Sequence, residues 1–379
     1  MIHAIPRLLP EDVAALALLD EQRERLGMFT QNSPNRWFGS LRRSTFARAI
    51  QGSNSIEGFH ATVADAIAVV ANEQPLDLSS ETHAALIGYR NALTYIMQAA
   101  KDPFLDFSKQ FLKSIQFMML GHDLAKNPGQ WRPGSIFVVD DATGRPVYEG
   151  PEAALVDPLV EELVEALETE DAGPVVVQAA MAHLNLTMIH PFKDGNGRMA
   201  RALQTFVLAR GGIQHPEFSS IEEWLGRHTR DYYAVLAEVG QGRWNPARDA
   251  APWVRFCIKA HYQQAATLIR RNEEYARVYD GVATILARER LPERMAVPLF
   301  DATLGWTIGN ARYRADAEVG EFAASRDLRK LCALTLLEPI GEKRGRSYRP
   351  GPELVRLRKA TRIDRPLEDP YDIVAARGR

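Results

Sequence analysis

Most of the side chains that could do chemistry lie in one run of the sequence, residues 190–201 (HPFKDGNGRMAR). Gly195 and Gly197 stand where a helix is predicted to begin, and glycines let successive backbone N–H groups turn towards one anion. The positive end of the helix dipole would add to that attraction. Arg198 and Arg201 are three residues apart on the same helix, so both guanidinium groups can face the same anion. The run therefore predicts a phosphate-binding site.

Two further side chains of this run could take part in a group transfer. Asp194 comes just before the glycines, and a single carboxylate beside bound phosphates is a natural ligand for Mg²⁺. His190 is the side chain of the run that can accept a proton near pH 7. Together these residues predict a polyphosphate held by backbone amides, a metal ion and two arginines, with a general base beside it.

Amphipathic helices are predicted to position this run. Apolar residues recur at three- and four-residue spacing in Leu86–Ala99, Asp157–Leu167 and Pro174–Ile189. Pro158 suits the first turn of the second of these helices. Pro191 disfavours helical geometry at the residue before it, so the third helix is predicted to end there and a new one to begin within the run.

Strand signals are scarce apart from one hairpin, which is predicted between Gly129 and Gly150. Its two strands, Ile136–Val139 and Pro146–Tyr148, flank a segment rich in turn-forming residues, Asp140–Gly144. The sequence therefore predicts a protein whose strands are few and local.

The C-terminal third is predicted to begin with a long, charged helical stretch, Gln263–Glu289. A polar hairpin, Pro339–Tyr348, follows three short helices, and the tail after about Leu357 is expected to lie along the surface or to be disordered. The three short helices are predicted over Met295–Leu304, Asn310–Val319 and Phe322–Leu337.

Length and composition set wider bounds. With 379 residues the chain is too long for one ordinary core, and 46 Lys and Arg against 48 Asp and Glu exclude a globally basic nucleic-acid binder. Cys257 and Cys332 lie in apolar helical patterns and are predicted to be buried and reduced, with no disulfide or zinc site. Without a signal peptide or a bilayer-length apolar stretch, a cytoplasmic protein with no membrane partner is predicted.

The run 190–201 resembles the motif of the Fic family, HxFx(D/E)GNGRxxR, at every specified position. The resemblance implies that His190 is the base for an incoming hydroxyl and that Asp194 holds Mg²⁺ between the α- and β-phosphates of ATP. It assigns Arg198 to the β-phosphate and Arg201 to the γ-phosphate, and it makes Phe192 a structural anchor of the loop. The residues it places around the phosphates are Gly195, Asn196 and Gly197.

A second pattern lies far upstream, at residues 53–58 (SNSIEG). On its own this segment is typical of a polar helix start. It resembles the inhibitory signature of Fic proteins, (S/T)xxxE(G/N), in which the glutamate pairs with the second arginine of the motif. Here the pair would join Glu57 to Arg201, so a carboxylate would stand in the place of the γ-phosphate and repel the charge of the nucleotide. The resemblance therefore implies an N-terminal inhibitory helix.

Two other segments are similar to companion elements of the same family. The predicted hairpin corresponds in position to the flap that docks the target, where a strand edge could pair with an extended segment of a substrate protein. A purely structural hairpin is an equal alternative. Residues 230–233 (RDYY) resemble the helix that lines the adenine pocket, and either Tyr232 or Tyr233 is expected to face the base.

The C-terminal part looks like a winged helix, with a recognition helix starting near Phe322 and a basic hairpin over Lys343–Arg349. From Glu321 to Arg349 there are seven Lys and Arg against four Asp and Glu, which is a weak charge for autonomous DNA binding. Protein contacts or dimerisation are therefore favoured as its role.

These inferences predict a mainly α-helical protein with a Fic helical core, a small β-hairpin flap and a C-terminal winged-helix domain. The chain is predicted to divide into an N-terminal helical region carrying the inhibitory helix (1–105), the catalytic core (106–265), a helical linker (266–289), the winged helix-turn-helix domain (290–358) and a tail (359–379).

The function implied is transfer of AMP from MgATP to a Ser, Thr or Tyr hydroxyl of a protein, with release of pyrophosphate and inhibition by Glu57. The modified protein is a separate target or the chain itself, and a homodimer is a further possibility. Two alternatives stay open. One is a Fic enzyme that removes AMP or transfers another phosphate group, and the other is a DNA-binding regulator whose Fic site senses a nucleotide.

Overall fold

Helices make up most of the computed structural model, which describes residues 1–31, 37–73, 78–140, 143–169, 173–213, 219–341 and 346–378. The mainly α fold predicted from the sequence is confirmed. Within these ranges no helix is both long and apolar enough to cross a lipid bilayer. In chain order the helices begin with α1 (Pro10–Gln31), α2 (Phe38–Ile56), α3 (Val63–Val70), α4 (Ser80–Ala99), α5 (Lys109–Leu120), α6 (Ala153–Glu168), α7 (Val175–Ile189) and α8 (Asn196–Arg210). They continue with α9 (Glu222–Arg227), α10 (Thr229–Gly240), α11 (Ala251–Arg288), α12 (Ala296–Thr303), α13 (Asn310–Ala317), α14 (Glu321–Ala333), α15 (Pro352–Thr361) and α16 (Pro370–Arg377).

The chain divides into two compact units. The first consists of residues 1–28, 45–266 and 367–379, and the second consists of residues 29–44 and 267–366. The whole of the run 190–201 and the segment 53–58 belong to the first unit. The finer division into five regions stays a prediction.

Helices α7 and α8 form the centre of the first unit. Nearly every residue of α7 is buried, including the polar His183 and Asn185, and a helix that is apolar all round belongs in a core. Helix α8 packs against α7, and α4 and α5 pack on each other beside it. The ring of Phe206 on α8 lies 4.9 Å from that of Phe111 on α5, measured between centroids. This packing fixes the loop between α7 and α8, which is the run predicted to bind phosphate.

The predicted hairpin is present as strands β1 (Phe137–Val139) and β2 (Pro146–Glu149). They pair antiparallel, with Val138 opposite Tyr148. The Tyr148 hydroxyl donates a hydrogen bond of 2.8 Å to the carbonyl of Met188 on α7, which ties the hairpin to the central helix. Residues 141–142 of the predicted turn lie outside the described residues.

In the second unit, α12, α13 and α14 accompany a three-stranded antiparallel sheet. Its strands are β3 (Ile308–Gly309), β4 (Leu337–Ile340) and β5 (Ser347–Pro350), with β5 in the middle. Asp327 of α14 is 1% exposed, and its Oδ2 accepts hydrogen bonds from Arg294 Nε (2.6 Å) and the Tyr313 hydroxyl (3.0 Å). Residues 342–345, which include Lys343 of the predicted basic hairpin, lie outside the described residues.

Two predicted helix boundaries are wrong. Pro158 lies inside α6 and not in its first turn, because the buried face of the helix already begins at Val156 and its burial outweighs one lost backbone bond. Helix α14 ends at Ala333, and Leu337 begins β4. Thr335 has a left-handed backbone with φ of 56°, which a helix cannot continue through.

Two other expectations need correction. Residues 53–58 do not start a helix, because α2 ends at Ile56 and the segment forms its C-terminal turn. Cys257 is buried as predicted, whereas Cys332 on α14 is only half-buried. Of the two alternatives for the tail, the surface location fits α16, whose residues after Pro370 are exposed or half-buried and whose first turn is capped by the side chain of Asp369.

The close packing of α4 on α5 depends on a glycine. A Cβ atom at Gly88 would overlap the backbone carbonyl of Met119, so Gly88→Ala should force the two helices apart. Overpacking of this kind costs about 1–3 kcal/mol, and we expect the melting temperature to fall by several degrees in a thermal unfolding scan. Gly27→Ala is the matched control, since no atom lies within 4 Å of a Cβ there and alanine favours the helix. Equal melting temperatures for the two variants would contradict this account of the contact.

Candidate active site

The loop between α7 and α8 begins and ends with left-handed residues. His190 follows the last residue of α7 and is left-handed, with φ of 51° and ψ of 58°, so the helix ends where the following proline predicts, although the proline by itself favours an extended residue there. Gly195 precedes α8 with φ of 79°, a conformation that glycine adopts without steric cost. The two turns bring the imidazole of His190 and the start of α8 to the same side of the core.

Two side chains lock this loop from within. Phe192 is fully buried, and its backbone N–H donates a hydrogen bond of 2.9 Å to Asn196 Oδ1. Asn196 Nδ2 donates in return to the carbonyl of Phe192, at 2.8 Å. Both ends of the Asn196 amide are therefore used inside the loop, and the residue acts first as a brace.

The two arginines at the start of α8 are almost completely buried. Arg198 and Arg201 are each 1% exposed. Among the described residues, Nε and Nη1 of Arg198 and Nη1 of Arg201 have no hydrogen-bond partner. Burying a cation without an acceptor is costly, and buried donors are nearly always paired. The site therefore presents three unpaired, charged donors, and an anion with several oxygens is the ligand that satisfies them.

Arg201 is held by the end of α2. Its Nε donates to the Ser53 hydroxyl at 2.7 Å, and its Nη2 donates to the Ser53 carbonyl at 3.0 Å and to Glu57 Oε1 at 2.7 Å. Burial pulls the pKa of Arg201 down, but Glu57 together with Tyr232 and Tyr89 outweighs it and raises the pKa above its ordinary value. The structure thus brings together Glu57 and Arg201, which are 144 residues apart in the chain.

Glycines let these elements approach closely. A Cβ atom at Gly197 would overlap Oε1 of Glu57 and would lie 3.2 Å from Nη1 of Arg201. At the other end, a Cβ at Gly226 on α9 would lie 2.7 Å from the Cα of Gly52 on α2. The position of Glu57 therefore depends on residues without side chains at both contacts.

His190 is set up to accept a proton. Its Nδ1 lies 3.1 Å from the carbonyl oxygen of Thr187, and because a carbonyl can only accept, Nδ1 carries the proton of the neutral ring. Nε2 is then the acceptor. Burial lowers the pKa of His190 below its ordinary value of 6.5, against a smaller opposite effect of the Thr187 carbonyl. The imidazole is therefore neutral at pH 7.

Asp194 lies two residues before the first residue of α8. Its Oδ1 accepts a hydrogen bond of 2.6 Å from the backbone N–H of Gly195 and lies 4.0 Å from Nη2 of Arg198. Its Oδ2 pairs with Nζ of Lys126 at 3.2 Å, and one third of the side chain is exposed. Within the described ranges no three metal-ligating side chains cluster. A lone carboxylate of this kind suits Mg²⁺, which takes its remaining ligands from phosphates and water.

The two tyrosines of α10 have different surroundings. Tyr232 is 1% exposed, and its hydroxyl lies 2.9 Å from Nε2 of the buried His183. Tyr233 is 47% exposed, and its hydroxyl donates to the carbonyl of Ile56 at 3.2 Å. Tyr232 is thus a core residue, and Tyr233 is the tyrosine of the pair whose ring is open to a ligand.

Some residues of the site carried no signal in the sequence. The guanidinium carbon of Arg198 lies over the ring of Phe59, 5.1 Å from its centroid. The buried carboxylate of Glu222 contacts the hydroxyl of Tyr89 and accepts a hydrogen bond of 2.6 Å from Ser220. Burial raises the pKa of Glu222. Phe59 lies far from Arg198 in the chain, and Tyr89 lies far from Glu222, so only packing reveals these two contacts.

Comparison with known proteins finds similarity to one family over the central part of the chain. Residues 106–208 match the model of the Fic/DOC family. The chain is 28% identical over 259 residues to a protein adenylyltransferase Fic of Nematostella vectensis, covering 68% of this chain and 56% of that relative. It is likewise 28% identical over 250 residues to the protein adenylyltransferase Fic of Drosophila melanogaster, covering 65% and 46%. The chain thus spans about half the length of the curated relatives it matches.

Solved structures share the fold. A Fic family protein from Desulfovibrio desulfuricans superposes with a TM-score of 0.59 at 21% identity, covering 92% of this chain and 98% of that one. A Fic protein fragment from C. elegans gives a TM-score of 0.55 at 22% identity, covering 68% and 72%. At these identities the likeness establishes a common fold.

The surroundings of His190 predict its titration. Since burial lowers the pKa of His190, the imidazolium should form only as the pH falls below 6.5. We expect the histidine C–H resonance of this residue to titrate with a midpoint below 6.5 in an NMR pH series, with assignment from the spectrum of His190→Asn. A midpoint at or above 6.5 for His190 would show that the proposed effect of burial is absent.

Proposed function

We propose that this chain, which carries a Fic domain over residues 106–208, is a protein adenylyltransferase that moves AMP from MgATP to a Ser, Thr or Tyr hydroxyl of a protein. The observation that carries the proposal is the set of unpaired guanidinium donors of Arg198 and Arg201 at the N-terminus of α8, beside a neutral imidazole. A triphosphate supplies the oxygens that these donors lack. The imidazole supplies the base that a hydroxyl needs in order to attack.

In the proposed reaction, Nε2 of His190 takes the proton of the target hydroxyl while its oxygen attacks the α-phosphorus. The new bond joins the target oxygen to the α-phosphorus. The bond between the α-phosphorus and the oxygen bridging to the β-phosphate breaks, and pyrophosphate leaves with that electron pair, in line with the attack. The Thr187 carbonyl keeps the proton on Nδ1, so the ring offers Nε2 to the hydroxyl.

The arginines are proposed to stabilise the negative charge of the leaving pyrophosphate. Arg198 is assigned to the β-phosphate and Arg201 to the γ-phosphate, and the backbone N–H groups at Gly195 and Gly197 add donors at the positive end of α8. Asp194 would hold Mg²⁺, which when bound neutralises phosphate charge. Its pairing with Nζ of Lys126 at 3.2 Å supports this role, since the carboxylate already lies beside a positive charge.

Glu57 is proposed to keep the enzyme slow at rest. It takes one of the donors of Arg201 and adds a negative charge beside the place of the γ-phosphate. The pair is partly buried, because the side chain of Arg201 is 1% exposed and that of Glu57 is 23% exposed. Low exposure weakens the screening by water, so the competition between Glu57 and the nucleotide is strong.

The hairpin β1–β2 is proposed as the place where the target docks. It is a two-stranded sheet, and the side chains of Phe137 and Val139 on β1 are about half exposed. An extended segment of the target could add to it by backbone hydrogen bonds and bring its hydroxyl towards His190.

Residues 290–358 are proposed to form a winged-helix domain that contacts proteins. Phe322 at the start of α14 is 94% exposed, and an aromatic ring in solvent is typical of protein-contact surfaces. This exposure favours protein contacts, including contacts with a second copy of the chain, over binding to DNA phosphates.

The inhibitory role of Glu57 has a direct test. Glu57→Gly should free Arg201 and raise incorporation of labelled AMP into the chain itself by roughly 10- to 150-fold, because a charge-assisted pair is worth about 1.5–3 kcal/mol. ADP lacks the γ-phosphate, so Glu57→Gly should change the affinity for ADP much less than the affinity for ATP. The activity is measured as radiolabel transferred from ATP with Mg²⁺ present.

Two controls accompany that experiment. Glu57→Gln keeps the shape of the side chain and removes its charge, so an increase similar to that of Glu57→Gly would assign the inhibition to charge. Arg201→Ala in the Glu57→Gly background should cancel the gain, since the freed partner is gone. Equal incorporation by the wild type and Glu57→Gly would refute the inhibition, and a fully active double variant would refute the role of Arg201.

The role of His190 has a separate test. In the Glu57→Gly background, His190→Ala should lower AMP incorporation by about 10²- to 10⁴-fold, because it removes the proton acceptor. ATP should still bind, since no phosphate contact is assigned to the imidazole. Isothermal titration with MgATP measures the binding, and incorporation at the rate of Glu57→Gly alone would show that His190 is not the base.

A further inference from the structure

The turn after α2 has a defined geometry that sends the chain back towards the site. Gly58 is left-handed, with φ of 82°. The N–H of Phe59 donates to the carbonyl of Asn54 at 3.0 Å, and the N–H of Gly58 donates to that of Ser55 at 3.2 Å. These are the two hydrogen bonds of a Schellman motif, which ends a helix at a glycine. The motif places Glu57 and Phe59 on either side of one turn.

The ring of Phe59 meets the arginine that Glu57 does not bind. The guanidinium carbon of Arg198 lies over this ring, 5.1 Å from its centroid, which is within the range of a cation–π contact. Arg198 is 1% exposed, and the nearest distance to Asp194 is 4.0 Å, from Nη2 to Oδ1. The aromatic ring therefore lies against a buried cation whose ion pair with Asp194 is a long one.

The contact with Phe59 leaves the donors of Arg198 available. A ring attracts a cation through its face and takes no N–H group as a conventional acceptor would. Nε and Nη1 of Arg198 indeed have no hydrogen-bond partner among the described residues. Glu57, in contrast, takes Nη2 of Arg201 at 2.7 Å.

We infer that Phe59 is a positioning residue, which holds Arg198 with its donors open to the β-phosphate of the nucleotide. One turn would then act on the two arginines in opposite ways, since Glu57 withholds Arg201 while Phe59 prepares Arg198. The inference rests on the proposed function for the identity of the nucleotide. It goes beyond that function in making the inhibitory turn a part of the nucleotide site.

Binding of nucleotides of different length tests this role. In the Glu57→Gly background, Phe59→Ala should weaken the binding of MgADP and MgATP by about 5- to 30-fold, as expected for a desolvated cation–π contact. AMP has no β-phosphate, so its affinity should change by less than about twofold. The three dissociation constants are measured by isothermal titration, with AMP in competition with ADP if its own heat is small.

Conservative variants of Phe59 distinguish the effect of its aromatic face from the effect of its volume. Phe59→Tyr keeps the aromatic face and should restore the affinity for ADP to within about twofold of the Glu57→Gly parent. Phe59→Leu keeps an apolar side chain without the face and should stay weak. Phe104→Ala is the matched control, because this ring is 92% exposed and touches no residue of the site.

Several outcomes would overturn the inference. Unchanged affinity for ADP in Phe59→Ala would show that the ring does not support Arg198, and an equal loss for AMP would show a general disturbance of the pocket. Full affinity in Phe59→Leu would assign the effect to volume. If Phe59→Ala does not fold, the comparison of the Tyr and Leu variants decides. Binding of ADP without any AMP incorporation by Glu57→Gly would refute the transferase while leaving the role of Phe59 standing.

Discussion

The structure depends on the burial of two like charges side by side at the start of α8. Arg198 and Arg201 are 1% exposed, and the protein supplies acceptors for only some of their donors. Ser53 and Glu57 satisfy part of Arg201, and Phe59 supports Arg198 through its ring. Such an arrangement is costly for a folded chain unless it serves to bind an anion. The rest of the site can be understood as the means of holding these two cations in place.

Helices α7 and α8 and hydrogen bonds within the loop between them hold the two arginines in place. The core helices α7 and α8 fix the ends of the loop, and the reciprocal hydrogen bonds between Phe192 and Asn196 brace its middle. Because these bonds are buried, they strengthen one another in a medium of low dielectric. The helix dipole of α8 then adds its positive end to the charge of the arginines.

The proposed control of the site comes from a different part of the chain. The end of α2 approaches α8 only because Gly52, Gly197 and Gly226 leave room for it. Its last turn carries the carboxylate of Glu57, which we propose competes with a phosphate, and, two residues on, the ring of Phe59, which lies against Arg198. On these proposals a single Schellman turn both inhibits the site and supports the nucleotide, and a change in that turn would affect both. The likeness to the Fic/DOC family model covers residues 106–208, which do not include this turn, and the solved structures share the fold.

The sequence by itself determined the local features. Pro191 ended α7, glycine opened α8, and the turn residues predicted the hairpin, because each depends on backbone preferences within a few residues. The run 190–201 likewise predicted a phosphate site from its own residues. Only the tertiary structure decided that Glu57 ends a helix, that Tyr233 and not Tyr232 is open, and that Phe59 meets Arg198. These facts rest on contacts between residues far apart in the chain. Such contacts follow from how whole helices pack, and local propensity does not predict that packing.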